Sequence, residues 1–95
     1  MKKAIVLGGS RGIGRAIALA LKSINCQVIQ TSRNDIDTSN LQSVKNFVEQ
    51  QKYTDIIVLN TGGPPAKSFF EITEQDWNHY HNQLFLSCCL ILQRL

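Results

Sequence analysis

At 95 residues the chain has the length of one domain, and with 43% apolar residues, 18% charged residues, six Gly and two Pro it is neither disordered, collagen-like nor low-complexity. Its net charge of +3 is unevenly spread, since residues 1–34 hold six Lys/Arg and no acid while residues 35–95 hold four Lys/Arg and seven Asp/Glu. The first third therefore attracts anions, but its cations are scattered among apolar residues without a recognition motif, which argues against a nucleic-acid surface.

In chain order, Ala4-Ile5-Val6-Leu7 is an apolar run closed by glycines, the pattern of a buried parallel strand. Ile13, Ile17, Ala20, Leu21 and Ile24 then recur at helical spacing and predict a helix from Gly12 to Ser23 with one apolar stripe toward a sheet. Gln27 to Ser32, centred on Val28-Ile29, reads as a second strand, and Ile36 anchors a very short third one. Ser39 with Gln42 reads as a capping box, opening a helix whose stripe is Leu41, Val44, Phe47 and Val48 and whose end falls near Lys52. Asp55 to Asn60 is the clearest strand, apolar on both faces and closed by Gly62-Gly63-Pro64-Pro65. Thr73, with Glu74 and Asp76 in the next turn, starts a last helical pattern that continues to Leu95. This alternation is that of an α/β doubly wound parallel sheet of about four strands, in the order 3-2-1-4.

Gly8-Gly9-Ser10-Arg11-Gly12-Ile13-Gly14 lies where the first strand gives way to the first helix. A backbone that turns there and comes close to a ligand needs glycine, and free amides at a helix N-terminus favour a pyrophosphate. The P-loop is excluded, because Arg15-Ala16 stands where its Lys-Ser/Thr pair is required. The GxGxxG fingerprint also fails, because the spacing of Gly8, Gly12 and Gly14 is GxxxGxG.

With this loop, with Ile36-Asp37 after a short third strand, and with Leu59-Asn60-Thr61-Gly62 at a strand end, the chain resembles the short-chain dehydrogenase/reductase family. Gly62-Gly63-Pro64-Pro65 with Asp76-Trp77 is similar to its 3-oxoacyl-acyl-carrier-protein reductase-like branch. The resemblance implies a Rossmann-type domain in which residues 1–95 form the dinucleotide-binding N-terminal part. It places Gly8, Ser10, Arg11, Gly12, Ile13 and Gly14 at the cofactor phosphates, Asp37 at the adenine amino group, Asn60 as a brace near the adenosine and Gly62 under the cofactor. The chain departs from the family pattern at Leu7, where Thr is usual, at Leu59, where the first Asn of NNAG is usual, and at Leu84, where a helix Asn is usual. Asn82 is about 200° around the helix from Leu84 and is no simple substitute.

An acid at the end of the second strand selects NAD through the ribose 2′-OH, whereas an Arg there accommodates the 2′-phosphate of NADP. Thr31-Ser32-Arg33 occupies that position, and Arg11 can flank the same phosphate, so NADP is favoured over NAD; Asp35 is the rival feature. The family's hydride transfer between nicotinamide and a carbonyl or alcohol uses a Tyr-x-x-x-Lys pair and a Ser. Here Tyr53 is followed four residues on by Ile57 and Tyr80 by Leu84, so this chain alone is expected to be inactive, with no catalytic residue assigned. The resemblance thus reads as the front half of a protein of roughly 250 residues. A non-catalytic, free-standing dinucleotide-binding module is the alternative.

Other chemistry is sparse. Three cysteines, Cys26, Cys88 and Cys89, make no disulfide framework, and the start lacks a signal-peptide core, so a cytoplasmic location is expected. Cys88, Cys89 and Trp77 read as core residues, His79 and His81 as surface residues without metal. The longest apolar stretch, Leu84 to Leu92, is far short of the roughly 20 residues a membrane crossing needs. An open edge on the last strand, with Phe85, Leu86, Cys89, Leu90 and Leu92 on the last helix, predicts self-association.

Overall fold

The structure, a computed structural model, describes residues 1–63 and 66–95. Pro64 and Pro65, read above as part of a strand end and of the branch resemblance, lie outside the described residues. Strands β1 (Lys3–Val6), β2 (Gln27–Gln30) and β3 (Ile56–Val58) form one parallel sheet in the order β2-β1-β3. Helix α1 (Gly12–Ser23) joins β1 to β2, and α2 (Leu41–Gln51) joins β2 to β3. A 3-10 turn at Phe69–Glu71 precedes α3 (Glu74–His81), and α4 (Ser87–Arg94) ends the chain.

The alternation of side chains along β1 divides the core into two layers. Ile5 and Leu7 join Ile36, Val44, Phe47, Val48 and Ile91 in one buried cluster, so α2 and α4 cover that face. Ala4 and Val6 have the opposite parity and are also fully buried, beneath α1, whose buried residues are Gly14 and Ala18. Each fully buried Ile or Val contributes about 1.5–3 kcal/mol relative to exposure, and β1 is buried on both faces. The apolar stripe expected on α1 holds in part. Ile17 and Leu21 are half-buried, whereas Ile13 and, just past the helix, Ile24 are 76% and 68% exposed, because close helix–strand approach selects small residues over branched ones at the contact.

Four further expectations are corrected. Ile36 is buried, as an anchor should be, yet no third strand forms. The N–H groups of Asp35 and Ile36 donate to the Ser32 carbonyl and that of Asp37 to the Ser43 hydroxyl, so local turns consume the donors a ladder needs. The α2 cap is Asn40 rather than Ser39, its side chain accepting from the N–H groups of Gln42 and Ser43, while Ser39 turns back to Asp37. The last strand spans only Ile56–Val58, shorter than the expected Asp55 to Asn60, while its place at the sheet edge is as the predicted strand order has it. Trp77 is 55% exposed and Cys89 exposed, so neither belongs to the core.

Between α3 and α4 the helix widens into a π segment, Asn82–Leu86. The Ser87 N–H bonds the carbonyl of Asn82, five residues back. That leaves the Gln83 carbonyl free for the Ser87 hydroxyl, which donates to it at 2.7 Å, and this is how a serine comes to be fully buried here.

The start of α3 is a capping box in which Thr73 accepts from the Asp76 N–H and Asp76 accepts from the Thr73 N–H. The Lys67 ammonium, 2.8 Å from the Asp76 carboxylate, is the main cause of an Asp76 pKa held down at about 2, and the Thr73 N–H adds to it. Because this value lies below the unfolded one of about 3.9, the stabilisation is complete above that unfolded value and is lost as pH falls through about 2. The Thr73 amide resonance should report release of the box in that acid window, and Lys67→Ala should move the release to higher pH.

Candidate functional site

The chain leaves β1 for α1 on one face of the sheet and reaches β3 through α2 on the other, so the winding reverses between β1 and β3. At such a switch point a crevice opens beyond the carboxyl ends of the strands. Here it is a cleft of about 840 Å³, within the range of small-molecule sites. Of the residues singled out from sequence, Gly8, Ser10, Arg11, Gly12, Arg33, Asp37, Asn60 and Gly62 all border it. Ile13 and Gly14 do not; Ile13 faces outward and Gly14 is buried behind the loop.

The loop conformation follows from contacts on either side. Gly12 has φ +63°, where a side chain is strained, and a Cβ there would meet nothing within 4 Å, so the backbone faces open space. A Cβ on Gly14 would instead run into the Gly8 carbonyl and approach the Asn60 amide within 2.7 Å. Asn60, just past β3, donates from Nδ2 to the Gly8 carbonyl at 3.3 Å and so ties the loop to the neighbouring strand. The Gly9 N–H donates to the Thr31 carbonyl at 2.9 Å on the other side. Arg11 stands at the N-cap of α1 and its side chain makes no capping bond, as expected of a residue with no acceptor. The first-turn N–H groups are thus uncapped by it at the positive end of the helix dipole, the arrangement that binds anions.

Charge at the cleft is divided. Arg11 and Arg33 border it, and the Arg33 side chain is 82% exposed, held only by a loose 3.8 Å contact with Asp37. Asp37 Oδ1 accepts from the hydroxyl of Ser39 at 2.6 Å and from its N–H at 3.0 Å. The Ser39 hydroxyl is the main reason the Asp37 carboxyl lies below its ordinary range; Arg33 and His79 reinforce it, against the cost of partial burial. Asp35, the rival for the ribose, accepts the N–H and the hydroxyl of Ser32 within its own turn and is not among the residues bordering the cleft.

Sequence reasoning missed several residues of the cleft wall. Ser32, Asn34, Thr38, Thr61, His79, Tyr80 and Gln83 all border it. The last three come from α3 and the π segment, where their spacing of i, i+1 and i+4 puts them on one helix face, a pattern the sequence does show.

A short-chain dehydrogenase from Streptomyces avermitilis superposes with a TM-score of 0.89 at 22% identity, covering 99% of this chain and 42% of its own. A metagenomic short-chain oxidoreductase in complex with NADP gives 0.88 at 22% identity, covering 99% and 54%. An oxidoreductase of the short-chain dehydrogenase/reductase family from Brucella ovis, in complex with a partially ordered NAD, gives 0.85 at 19%, covering 97% and 55%. The fold is that of these Rossmann-type proteins. The chain spans about half the length of each. No family model and no curated protein matches the sequence.

Ser39→Ala should raise the Asp37 carboxyl pKa toward its ordinary value, read from the side-chain carboxyl carbon in an NMR titration; an unchanged titration would show that the hydroxyl is not the dominant cause.

Proposed function

We propose that the cleft binds NADP(H) and that the chain is the nucleotide-binding portion of a short-chain dehydrogenase/reductase. The observation that carries this reading is the convergence of an uncapped helix N-terminus, a glycine backbone facing open space and two arginines on one crevice at the switch point. The solved structures sharing the fold include complexes with NADP and with NAD, which supports a nicotinamide dinucleotide.

In this reading the amides from Ser10 to Gly14 and the dipole of α1 hold the pyrophosphate. Arg11 and Arg33 receive the 2′-phosphate, where a charge-assisted pair is stronger than a neutral hydrogen bond. Asp35 is engaged with Ser32, so the acid that would favour NAD is turned to a structural task. Asp37 holds the adenine amino group, Asn60 keeps the loop in place near the adenosine and Gly62 passes under the cofactor. Bound NADPH supplies a hydride for reduction of a carbonyl. Tyr80 borders the cleft, but the residue one helical turn on is Leu84 rather than Lys, so the Tyr-x-x-x-Lys pair is missing and this chain alone binds without turnover. The narrower 3-oxoacyl-acyl-carrier-protein reductase-like reading rests on Gly62-Gly63-Pro64-Pro65 and Asp76-Trp77; of these, Asp76 caps α3 and Trp77 is 55% exposed.

NADPH should bind more tightly than NADH, and Arg33→Ala should shrink the gap about tenfold, as removal of one charge-assisted phosphate contact worth about 1.5 kcal/mol implies. Fluorescence titration of both cofactors measures it, and equal affinities in the parent chain would refute the assignment of the 2′-phosphate.

Self-association belongs to the same proposal. β3 lies at a sheet edge, and Trp77, Leu84, Phe85 and Leu92 expose half or nearly half of their surface along one helical run. Unpaired strand edges and contiguous apolar faces both favour a second chain. Sedimentation at micromolar concentration should show species larger than a monomer, and a single sharp monomer boundary would refute association. No helix of the structure is long and apolar enough to cross a membrane among the described residues.

A further inference from the structure

Gln30, the last residue of β2, does more than continue a strand. Its Nε2 donates to the Gly9 carbonyl at 2.7 Å, and its Oε1 accepts from the Lys22 ammonium at 2.6 Å. Lysine has donors only, so its partner must be Oε1, and this leaves Nε2 facing the loop. Gly9 has no side chain to obstruct the contact, and it could not carry one: a Cβ there would lie 3.2 Å from both Cα and Cβ of Gln30 and 2.9 Å from the Val6 carbonyl. Gly9 is thereby clamped twice to the end of β2, through its N–H to Thr31 and through its carbonyl to Gln30.

The geometry points to Gln30 as a positioning residue for the nucleotide loop, with Lys22 setting the orientation of its amide. In a planar trans peptide the carbonyl of one residue and the N–H of the next point in opposite directions. Drawing the Gly9 carbonyl toward Gln30 therefore turns the Ser10 N–H the other way, to the side on which Ser10, Arg11 and Gly12 border the cleft. Gln30 touches no nucleotide in this arrangement; it acts by holding a peptide in the orientation an anion needs, so that binding does not have to reorganise the loop. Neither the strand pattern nor the glycine spacing marks this residue.

The hold on the loop needs no ligand, while its effect on affinity rests on the dinucleotide reading, so the test has two readouts on the full chain. The first is amide hydrogen exchange at residues 8–12 without ligand, expressed as protection factors to remove the intrinsic pH dependence. The second is the dissociation constant for NADPH. Gln30→Glu keeps the length and the partner for Lys22 but puts an acceptor against the Gly9 carbonyl. Thermal stability should fall only modestly, protection of the Gly9 N–H, which donates to Thr31, should fall, and NADPH affinity should drop, the last two about tenfold, the scale of one hydrogen bond left unsatisfied. In the Gln30→Glu variant, protonating the introduced carboxylate in acid restores a donor and should recover protection, whereas Gln30→Leu should show no recovery. Lys22→Met, on the exposed end of the relay, should act in the same direction by about threefold, within the range of a single exposed charged contact. If Gln30→Glu does not fold, Lys22→Met decides. Unchanged protection at residues 8–12 in the folded variants overturns the proposal. If the parent chain binds neither NADPH nor NADH, the dinucleotide reading fails while the exchange data still judge Gln30.

Discussion

Everything at the cleft depends on how closely the first turn of α1 approaches the end of β1. The Gly14 backbone lies against the Gly8 carbonyl, and the Asn60 amide shares the same small space. A single methyl group at position 14 would force helix and strand apart, open the layer over Ala4 and Val6, and displace the loop from both neighbouring strands. Close approach also explains why the buried face of α1 is built from Gly14 and Ala18. The apolar area given up there is offset by aligning the helix N-terminus with the crevice.

Around that contact the three strand ends act together. β2 contributes the Thr31 carbonyl and the Gln30 amide, β3 leads into Asn60, and β1 runs directly into the loop. The cleft thus has a floor of fixed backbone and a rim that carries charged side chains, Arg11, Arg33 and Asp37, the last two in loose contact at 3.8 Å. Exposed charges cost little to desolvate partially and can adjust to a ligand, while buried polar groups must be satisfied in place. Such a division suits an anionic, extended ligand whose phosphates need positioning and whose charge needs only compensation.

Much of this was legible in the residues. The glycine spacing marked the loop, and α1 begins and ends at Gly12 and Ser23 as its periodicity predicts. Thr73 with Asp76 marked the start of α3. Most of the residues singled out for a nucleotide do come together on one cleft, since they all sit just beyond strand ends and the parallel topology brings those ends side by side. What escaped has a common origin in competition between local and tertiary bonds. Ile36 has a strand residue's burial, but turns take the surrounding N–H groups. Ser39 and Asn40 are both good caps, and Asp37 drew one of them away. Ile13 in α1 and Ile24 just past it face water although Ile17 and Leu21 of the same stripe are half-buried, because the closest contact with the strand is taken by Gly14 and Ala18. Gln30 carries no pattern at all; its role exists only through the loop and helix folded around it.

The π segment links two parts of the molecule that chain order keeps distinct. His79, Gln83, Ser87 and Ile91 recur every four residues, the first two at the cleft and the last two in the interior. On an ordinary α-helix a spacing of four drifts by about 40° at each step, and over three steps the cleft residues would lie on a different side from the core residues. The wider turn between Asn82 and Leu86 absorbs part of that drift and works as a vernier between the two ends. One rod therefore has its phase fixed by Ile91 in the interior and displays that phase at the cleft. Removing one residue from the widened turn would restore an ordinary α turn and leave His79 nearly in phase with Ile91, whereas removing one from the α-helical part beside it would swing His79 around the axis by about 100°, so the identity of the cleft wall is set as much by residue count as by residue type.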